Sequence, residues 1–335
     1  MTDYMLESVW NGRESSTVRK YCLSLRGFIA YGVKNGFDNS LPLSSTDAAE
    51  YLTHLRLSKG TKGAINTALA ALKWVHSFIP GINKNNNPMD DGFLSKIASD
   101  ARRHLSQEKS KKKPISGDMV KDMCTNSNLN DLLELRNCLI VSLAYSLLLR
   151  NDEVSHITCD HIIEQEKGYK IFIPKSKTDR YRSGKHVFLA KNACEHSTAN
   201  LLKNYMEMSG LNIGDNHFLF CPVKGNKGKY FLQNTILSYA SYRDLTKKLI
   251  EKINLNPRDF GTHSCRAGGA TDLAPHVTEH DLMVNGRWAD PRSIRNYVEF
   301  SDQERFKMNN ILQSSINGER DLGESSLCNV KSLNS

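Results

Sequence analysis

Residues 263–297 read HSCRAGGATDLAPHVTEHDLMVNGRWADPRSIRNY, and this stretch decides which fold the rest of the chain is expected to adopt. Residues three apart share one face of a helix, so His263 and Arg266 present an imidazole and a guanidinium at one cleft. Such a pair suits a phosphate diester, although a single His-x-x-Arg sequence is more often a surface or capping pair. The AGGA segment at 267–270 has almost no side chain, which lets another backbone or a nucleic-acid strand approach closely.

The second half of the stretch contains Trp288 and Tyr297, with a predicted turn between them. Asp290 and Pro291 indicate a turn and a helix start, which predicts a helix that carries Tyr297 near its middle. His-x-x-Arg, Gly-Arg-Trp-Ala-Asp-Pro and a tyrosine 9 residues after Trp288 resemble, in this order, the tyrosine recombinase (phage integrase) family. The resemblance implies a mainly α-helical chain with a small β-hairpin or sheet. It also implies a two-domain DNA clamp, made of a helical core-binding domain and an integrase-like α+β catalytic domain.

Length and composition set broad limits. A chain of 335 residues is long for one core and sufficient for two domains. Its 39% hydrophobic and 24% charged residues are typical of soluble globular proteins, and no stretch approaches the roughly 20 apolar residues that span a bilayer. The N-terminus, MTDYMLESVW, lacks a signal-peptide core. We therefore expect an intracellular protein without a membrane partner, in the nucleus of a eukaryote or in the cytoplasm or nucleoid of a bacterium.

Charge and cysteine usage indicate the kind of partner and exclude a zinc module. The net charge of +9 and the pI near 9.0 favour a polyanion. The cysteines are scattered, with no Cys-x-x-Cys pair and no Cys/His cluster at zinc spacing, so we expect reduced, mostly buried thiols and no metal site. They are Cys22, Cys124, Cys138, Cys159, Cys194, Cys221, Cys265 and Cys328.

The first hundred residues show helical periodicity. Helix signals predict four helices, beginning near Ser16, Ser45, Ile65 and Gly92. Among their apolar residues, Phe28, Trp74 and Phe78 are expected to pack in the core. Residues 13–106 thus form a predicted helical domain, and this layout resembles the helical (SAM-like) core-binding domain of the family. Residues 107–115 are polar and rich in lysine, which indicates a linker.

The linker lysines allow three interpretations. The segment can be a solvated tether, a nuclear import signal, or a strand that crosses a DNA backbone and releases counterions. In the third case the contacts come from Lys109, Lys111, Lys112 and Lys113.

Residues 137–149, NCLIVSLAYSLLL, are apolar on nearly every face, as in a helix at the centre of a larger core. Arg150 follows directly, so its charge needs a partner, and a salt bridge to Glu153 or Asp160 is the simplest one. The segment LLLRNDEV resembles the family segment that supplies the first catalytic arginine and a supporting carboxylate three residues later. The resemblance therefore assigns these roles to Arg150 and Glu153.

Two short β-rich runs, 169–174 and 186–190, flank a basic segment with Gly184, which predicts a β-hairpin with a mobile tip. Residues 176–179, SKTD, resemble the family motif that inserts a lysine toward the cleaved bond. The resemblance thus selects Lys177, with Lys175 as the second choice. The hairpin is more similar to that of crypton-like or DIRS-like recombinases of eukaryotic mobile elements than to that of bacterial chromosome-resolving enzymes.

The remaining segments complete a predicted catalytic domain at 116–312. Residues 193–209 and 234–253 have helical patterns, residues 212–229 read as a loop, and residues 302–312 read as a last helix. Arg243, Lys247 and Lys248 in the second of these helices can contact phosphates or simply water. The polar residues 313–335 predict a disordered tail.

The resemblance covers residues 13–312 and implies a complete site. Tyr297 is the implied nucleophile, His263 takes its proton, and Trp288 donates where many members have a second histidine. The two arginines clamp the phosphate, and Lys177 protonates the leaving 5′ oxygen. The catalytic set is Arg150, Lys177, His263, Arg266, Trp288 and Tyr297.

The same resemblance implies how the reaction is organised. Cleavage leaves a 3′-phosphotyrosyl link that conserves the bond energy, so no metal or other cofactor is required. The implied partner is double-stranded DNA, with four subunits on two duplexes. Two alternatives stay open: a type IB topoisomerase, and a DNA-binding protein derived from a mobile element that no longer catalyses.

Overall fold

The fold was analysed in a computed structural model, which describes residues 14–38, 40–105, 111–174, 183–226, 229–298, 306 and 310. The chain divides into two compact units, Met1–Ser110 and Lys111–Ser335. The division falls inside the predicted linker. Among the described residues no helix is long and apolar enough to cross a membrane.

The described residues of unit 1 form four α-helices and one 3-10 turn. Helix α1 ends where Gly36 adopts a left-handed φ of 74°, as the Asn35-Gly36 pair predicts. The second helix begins after Ser44, whose side chain accepts from two backbone N–H groups. The helices are α1 (Ser15–Asn35), α2 (Ser45–Leu57), α3 (Lys62–His76) and α4 (Gly92–His104), with Pro88–Asp90 as the 3-10 turn.

The core of unit 1 lies between these helices. Phe28 is almost fully buried and packs edge-on against Tyr51, with ring centroids 5.4 Å apart. Trp74 is also buried, as predicted. The prediction for Phe78 was wrong, because its side chain is 43% exposed. Helix α3 ends at His76, so Phe78 lies beyond the packed face of the helix, where its ring packs nearly perpendicular to that of Trp74 with centroids 4.9 Å apart.

Unit 2 confirms the predicted class, since it is mainly helical with small antiparallel sheets. Its helices are α5 (Gly117–Thr125), α6 (Leu132–Ser146), α7 (Asn151–Ser155), α8 (Thr198–Ser209), α9 (Tyr239–Lys252), α10 (Ser264–Leu273) and α11 (Glu279–Gly286). The strands are β1 (Ile162–Gln165), β2 (Gly168–Ile173), β3 (Lys185–Ala190), β4 (Val223–Asn226) and β5 (Lys229–Leu232). Within the part of unit 2 that the structure describes, 3-10 helices occupy Cys159–His161, Pro257–Asp259, Ala274–His276 and Pro291–Asn296.

Unit 2 begins at Lys111, five residues before the predicted boundary at 116. The backbone N–H of Lys113 donates to the Asp259 carbonyl at 2.8 Å, and that of Ile115 donates to the Ser264 carbonyl at 3.0 Å. Ile115 is fully buried in the core. A solvated tether is therefore the wrong description of residues 113–115, because their backbone is paired within unit 2.

The hairpin predicted from the two β-rich runs is confirmed. Strands β2 and β3 pair antiparallel, with Tyr169 opposite Leu189 and Ile173 opposite Lys185. Strand β1, which pairs with β2 on its other side, was not predicted. The β4–β5 hairpin, part of which lies inside the predicted loop 212–229, was not predicted either. The helix predicted at 193–209 begins only at Thr198, after its Ser197 cap.

Helix α6 forms the centre of unit 2, and ten of its residues are buried. Helix α10 approaches it closely because of the two glycines after Arg266. A Cβ atom on Gly268 would lie 1.7 Å from the Ile115 carbonyl oxygen, and one on Gly269 would lie 2.3 Å from that of Tyr145. The predicted close approach at this segment is therefore confirmed, and the neighbours are backbone groups of the same unit.

The cysteines of the described residues are free thiols, and five of the seven are buried. Cys194 is exposed, and Cys22 is partly buried. Cys328 lies outside the described residues. No group of three or more His, Cys, Asp or Glu side chains within the described ranges is placed to hold a metal ion.

Candidate active site

Arg150 lies where the central helix of unit 2 stops. After α6 the chain continues through Leu147–Leu149, all buried, and Leu148 has a left-handed φ of 50°. Arg150 then precedes α7, with its side chain 12% exposed. Its Nη1 donates to Glu153 Oε1 at 2.6 Å, so the simple salt-bridge interpretation is correct for the partner. An arginine side chain carries five N–H donors, so this one contact with Glu153 does not use all of them.

Glu153 is the shared carboxylate of the site. It is 2% exposed, and besides Arg150 its Oε2 meets Arg287 Nη2 at 2.9 Å and Arg266 Nη1 at 3.9 Å. Burial raises the pKa of Glu153, but the charges of Arg287 and Arg150, the Arg150 backbone N–H and the charge of Arg266 outweigh burial and hold it below its ordinary value. Three arginines thus share one ionised carboxylate.

A Glu153→Gln substitution should lower the free energy of unfolding at neutral pH by roughly 3–5 kcal/mol, because it leaves buried guanidinium groups without their counter-charge. The folded pKa of Glu153 lies below the ordinary 4.5, so its contribution is present above that pH and is lost as the pH falls through the folded pKa. We therefore expect the gap between parent and variant to narrow below about pH 4.5.

Urea unfolding across this pH range measures the gap. The matched control is Glu164→Gln, since Glu164 is 53% exposed and pairs with Lys191 at the surface. That control should change stability by at most about 1 kcal/mol. A parent–variant gap that stays constant with pH would contradict the ionised state of Glu153 in the folded protein.

Arg266 is fully buried in the first turn of α10. Its Nη1 donates to the carbonyl of Leu148, and its Nη2 donates to that of Gly286. Its guanidinium carbon lies 4.3 Å from the centre of the Trp288 ring and 5.2 Å from that of Tyr297. Burial and the neighbouring charge of Arg150 lower the pKa of Arg266 to about 9, which leaves it protonated at neutral pH.

The Trp288 ring packs against both the Arg266 guanidinium and the Tyr297 ring. It is 5% exposed and packs with Leu148, Ala270, Leu282 and Ile294 in a small cluster apart from the main core. Its indole N–H is buried and has no hydrogen-bond partner among the described residues. A buried donor of this kind is costly unless something accepts from it. An indole N–H without a partner among the described residues is compatible with the donor role predicted for Trp288.

Tyr297 is partly buried above this cluster. Its ring centroid lies 5.2 Å from that of Trp288 and 6.3 Å from that of His263, which meets it edge-on. Its backbone carbonyl accepts from the Thr271 hydroxyl at 3.2 Å. The predicted location near the middle of a helix was wrong, because Tyr297 directly follows the short 3-10 helix that ends at Asn296. Asp290 caps that helix, as the sequence indicates.

Five of the six predicted catalytic residues lie in the described part of unit 2: His263, Arg266 and Trp288 lie beside Tyr297, and Arg150 shares the Glu153 carboxylate with Arg266. His263 directly precedes α10, so it and Arg266 both face the Tyr297 ring, as their spacing predicts. Lys177, its neighbour Lys175, the linker residue Lys109 and almost all of the predicted helix 302–312 lie outside the described residues, as does the tail 313–335.

The other basic residues predicted to contact DNA lie at the surface of unit 2. Lys113 pairs with Asp259 at 2.9 Å, and the Lys112 ammonium donates to the Arg258 carbonyl. Arg243 pairs with its neighbour Asp244, and Lys111 and Lys247 are exposed. Such exposed cations are held only weakly by their present partners, so phosphates can compete for them.

Sequence reasoning missed Arg287 as part of the site. It follows α11 with a left-handed φ of 55° and is buried. Its guanidinium donates to Glu153, to the carbonyls of Leu147 and Leu148 and to that of Asn285. The signal in the sequence is a charged residue between Gly286 and Trp288. This glycine is required, since a Cβ atom there would lie 1.8 Å from the Trp288 ring.

Relatives of the chain are recombinases. It is 23% identical over 289 residues to the integrase/recombinase XerD homolog of Selenomonas ruminantium, covering 86% of this chain and 82% of that protein. It is 24% identical to the Cre recombinase of Escherichia phage P1, covering 81% and 80%. Its fold is similar to that of the XerH site-specific recombinase in a post-cleavage complex with palindromic difH substrate, with a TM-score of 0.62, 19% identity and coverage of 88% and 80%.

The sequence profile of the phage integrase family matches residues 113–304. This range spans more than half of the chain and contains every residue of the site described above, from Arg150 to Tyr297. The chain is therefore a member of the phage integrase family.

Proposed function

We propose that this protein is a site-specific DNA recombinase that cleaves and rejoins DNA strands through a tyrosyl–DNA intermediate. The observation that carries the proposal is the arrangement at Tyr297, whose phenol stands beside Trp288, His263 and the Arg266 guanidinium. An attacking phenol, a proton acceptor and a cation that binds the phosphate are what displacement at a phosphate diester requires.

In the first step, the Tyr297 oxygen attacks the scissile phosphorus and its proton passes to His263. The phosphorus–5′ oxygen bond breaks, and Lys177 protonates the leaving oxygen. The products are a 3′-phosphotyrosyl link and a free 5′ hydroxyl. A 5′ hydroxyl from a second duplex then attacks the same phosphorus and gives its proton to Lys177. The tyrosine leaves and recovers its proton from His263, and the strand is rejoined without external energy.

Charge explains why the site favours the transition state. The phosphate diester carries one negative charge, and the pentacoordinate transition state carries nearly two. Arg150 and Arg266 donate to the nonbridging oxygens and Trp288 adds its indole N–H, whose partner is missing among the described residues. Donors that are already oriented in a buried site stabilise developing charge strongly, because they need no reorganisation.

The described part of unit 1 is proposed as the core-binding domain, which holds one side of the duplex. Double-stranded DNA is the partner expected of both units, given the net charge of +9. Each chain supplies one Tyr297 and so cuts one strand, whereas exchange between two duplexes needs four cuts. We therefore propose four subunits on two duplexes, and sedimentation of the protein with its cognate duplex tests this stoichiometry.

The central experiment mixes the full chain with DNA that carries its native flanking sequence, in the presence of a chelator, and stops the reaction with detergent. We expect a covalent adduct that digests to a nucleotide-bearing peptide containing Tyr297, with a free 5′ hydroxyl at the nick. Plasmids with two sites then separate recombination from relaxation by their products. Salt-sensitive binding to cognate DNA without any adduct would contradict the enzyme and favour a binding protein.

The acid role of Lys177 gives a separate prediction. On ordinary DNA, Lys177→Ala should slow adduct formation by about 10²–10⁴-fold, the usual contribution of a general acid. A substrate with sulfur in place of the scissile 5′ oxygen should remove most of this deficit, because a thiolate leaves without being protonated.

The control for this prediction is Lys175→Ala, which changes the same basic segment. It should cleave both substrates at nearly the parent rate. If Lys177→Ala remains equally slow on the sulfur substrate, the lysine has another role, and if only Lys175→Ala is rescued, the assignment shifts to Lys175.

A further inference from the structure

Arg287 occupies a backbone position that disfavours its own residue type. Its φ of 55° lies in the left-handed region, where glycine is favoured and an arginine is strained. The neighbouring turn at Leu148 also has a left-handed φ, of 50°, and the carbonyl of Leu148 accepts from both Arg266 and Arg287. Leu148 and Arg287 thus both have strained backbone conformations, and hydrogen bonds from guanidinium groups to the Leu148 carbonyl connect them.

The side chain of Arg287 explains why the strain is retained. It is only 3% exposed, and its Nη2 lies 2.9 Å from Glu153 Oε2 and 2.8 Å from the Leu148 carbonyl oxygen. Its Nη1 donates to the Asn285 carbonyl at 2.9 Å. These contacts engage both Nη atoms of Arg287 with Glu153 and backbone carbonyls, whereas the Arg266 guanidinium in addition lies 5.2 Å from the centre of the Tyr297 ring. Arg287 is therefore placed to act on other residues of the site and not on the DNA.

The residue it acts on is Glu153. Arg287 occupies Oε2 of that carboxylate, while Arg266 Nη1 stands 3.9 Å from the same oxygen. Without Arg287, the Oε2 atom of Glu153 would lose the guanidinium that lies 2.9 Å away, and the Arg266 guanidinium, at 3.9 Å, could take that place. Drawing Arg266 onto Glu153 would pull it from the carbonyls of Leu148 and Gly286, which hold its guanidinium beside Trp288 and Tyr297.

The charge of the cluster leads to the same conclusion. Three arginines and one ionised glutamate sum to a net charge of about +2, which matches the nearly doubly negative transition state. Removing Arg287 lowers the sum to +1, and removing the charge of Glu153 as well restores it to +2.

We propose that Arg287 is a positioning residue, which saturates Glu153 so that Arg150 and Arg266 remain available to the scissile phosphate. The inference rests on the proposed recombinase function. It assigns to this chain a third buried arginine whose effect on catalysis passes through the carboxylate.

The test compares adduct formation by the parent, Arg287→Gly, Glu153→Gln and the Arg287→Gly/Glu153→Gln double variant. Glycine suits a φ of 55°, so the single variant should remain folded, which thermal unfolding checks. We expect Arg287→Gly to slow cleavage by about 10²–10³-fold, comparable to losing one preorganised donor. The double variant should be at least about tenfold faster than Arg287→Gly, since it recovers the charge sum.

Arg287→Lys provides the second measurement. It keeps the positive charge near Glu153, so we expect its rate to stay within about tenfold of the parent rate, well above that of Arg287→Gly. If Arg287→Gly does not fold, the test compares the rates of adduct formation of Arg287→Lys and Glu153→Gln. The proposal requires Arg287→Lys to be the faster of the two, because its charge sum is unchanged.

The outcomes separate this inference from the function on which it rests. A parent that forms no Tyr297 adduct overturns the recombinase proposal, and the positioning role with it. A parent that forms the adduct, together with a double variant as slow as or slower than Arg287→Gly, overturns the positioning role alone. Because Arg287 and Glu153 are in contact, losses of stability in the double variant need not add, so stability is measured separately for every variant. A residue with only a structural role predicts that the cleavage rates follow the thermal stabilities, whereas the positioning role predicts slow cleavage by an Arg287→Gly variant that is fully folded at the assay temperature.

Discussion

We expect a Tyr297→Phe chain to form no covalent adduct with cognate DNA, although it should bind that DNA as tightly as the parent. The substitution removes one oxygen, and that oxygen is the proposed nucleophile. Loss of a nucleophile that acts as a unit with its base lowers turnover on the order of 10⁶-fold, which is below detection in a gel assay. The expected result is therefore complete loss of the adduct with retained binding.

The surroundings of Tyr297 explain why the fold should survive this change. The phenyl ring keeps its contacts with Trp288, His263 and the Arg266 guanidinium, which lie 5.2, 6.3 and 5.2 Å away. The Thr271 hydroxyl donates to the backbone carbonyl of residue 297, which is unaffected. We expect a change in the free energy of unfolding within about 0.5 kcal/mol.

The control is Tyr239→Phe, which removes a phenol oxygen from the exposed first residue of α9. It should form the adduct at the parent rate. An adduct formed by Tyr297→Phe at a rate comparable to that of the control would show that another residue attacks the phosphorus, and the assignment of the nucleophile would then be wrong.

Local signals in the sequence predicted a large part of this fold. Side-chain caps act through hydrogen bonds to the next few residues, so Asp290 marks a helix start without tertiary information. Burial of the run at 137–149 follows equally from composition, since a helix that is apolar on all faces has no solvent side. The helix α6 nevertheless ends at Ser146, three residues earlier than the apolar run.

The errors occur where the decisive partner is distant in sequence. Phe78 has the composition of a core residue, yet α3 ends two residues before it, and a pattern of apolar residues does not fix where a helix ends. The β4–β5 hairpin was missed because VKGN and KYFL are short, and strands this short give almost no periodicity.

The candidate site shows the same limit. Arg150, His263, Arg266, Trp288 and Tyr297 were selected because they resemble a family in type and order. Arg287 has no such motif, and its partner Glu153 lies 134 residues earlier in the chain. The turn at Arg287 also requires a glycine at position 286, because a side chain there would collide with the Trp288 ring. Only the packed structure shows this contact. A residue that acts through another buried residue leaves little trace in local sequence.

An Arg266→Lys chain should form the adduct at least about 10³-fold more slowly than the parent, although the positive charge is conserved. Arg266 donates to the carbonyls of Leu148 and Gly286, which belong to different segments of unit 2. A guanidinium has five N–H donors, so further ones can bind a phosphate. A lysine ammonium has three donors at a single point and cannot bridge these positions together.

Binding of DNA should change little in this variant, because one cation among many phosphate contacts contributes modestly to affinity. The matched control is Arg243→Lys, at an exposed arginine that pairs with Asp244, and it should cleave at the parent rate. Thermal unfolding separates a kinetic defect from a folding defect, which matters because Arg266 is fully buried.

A substrate with a neutral methylphosphonate at the scissile position distinguishes the role of the guanidinium. One charged nonbridging oxygen is then absent, so the transition state carries less charge for Arg266 to stabilise. The gap between parent and Arg266→Lys should therefore shrink by about tenfold or more on this substrate. An equal gap on both substrates would mean that Arg266 supports the fold of the site without stabilising charge on the phosphate. The clamp would then rest on Arg150, whose side chain is the more exposed of the two.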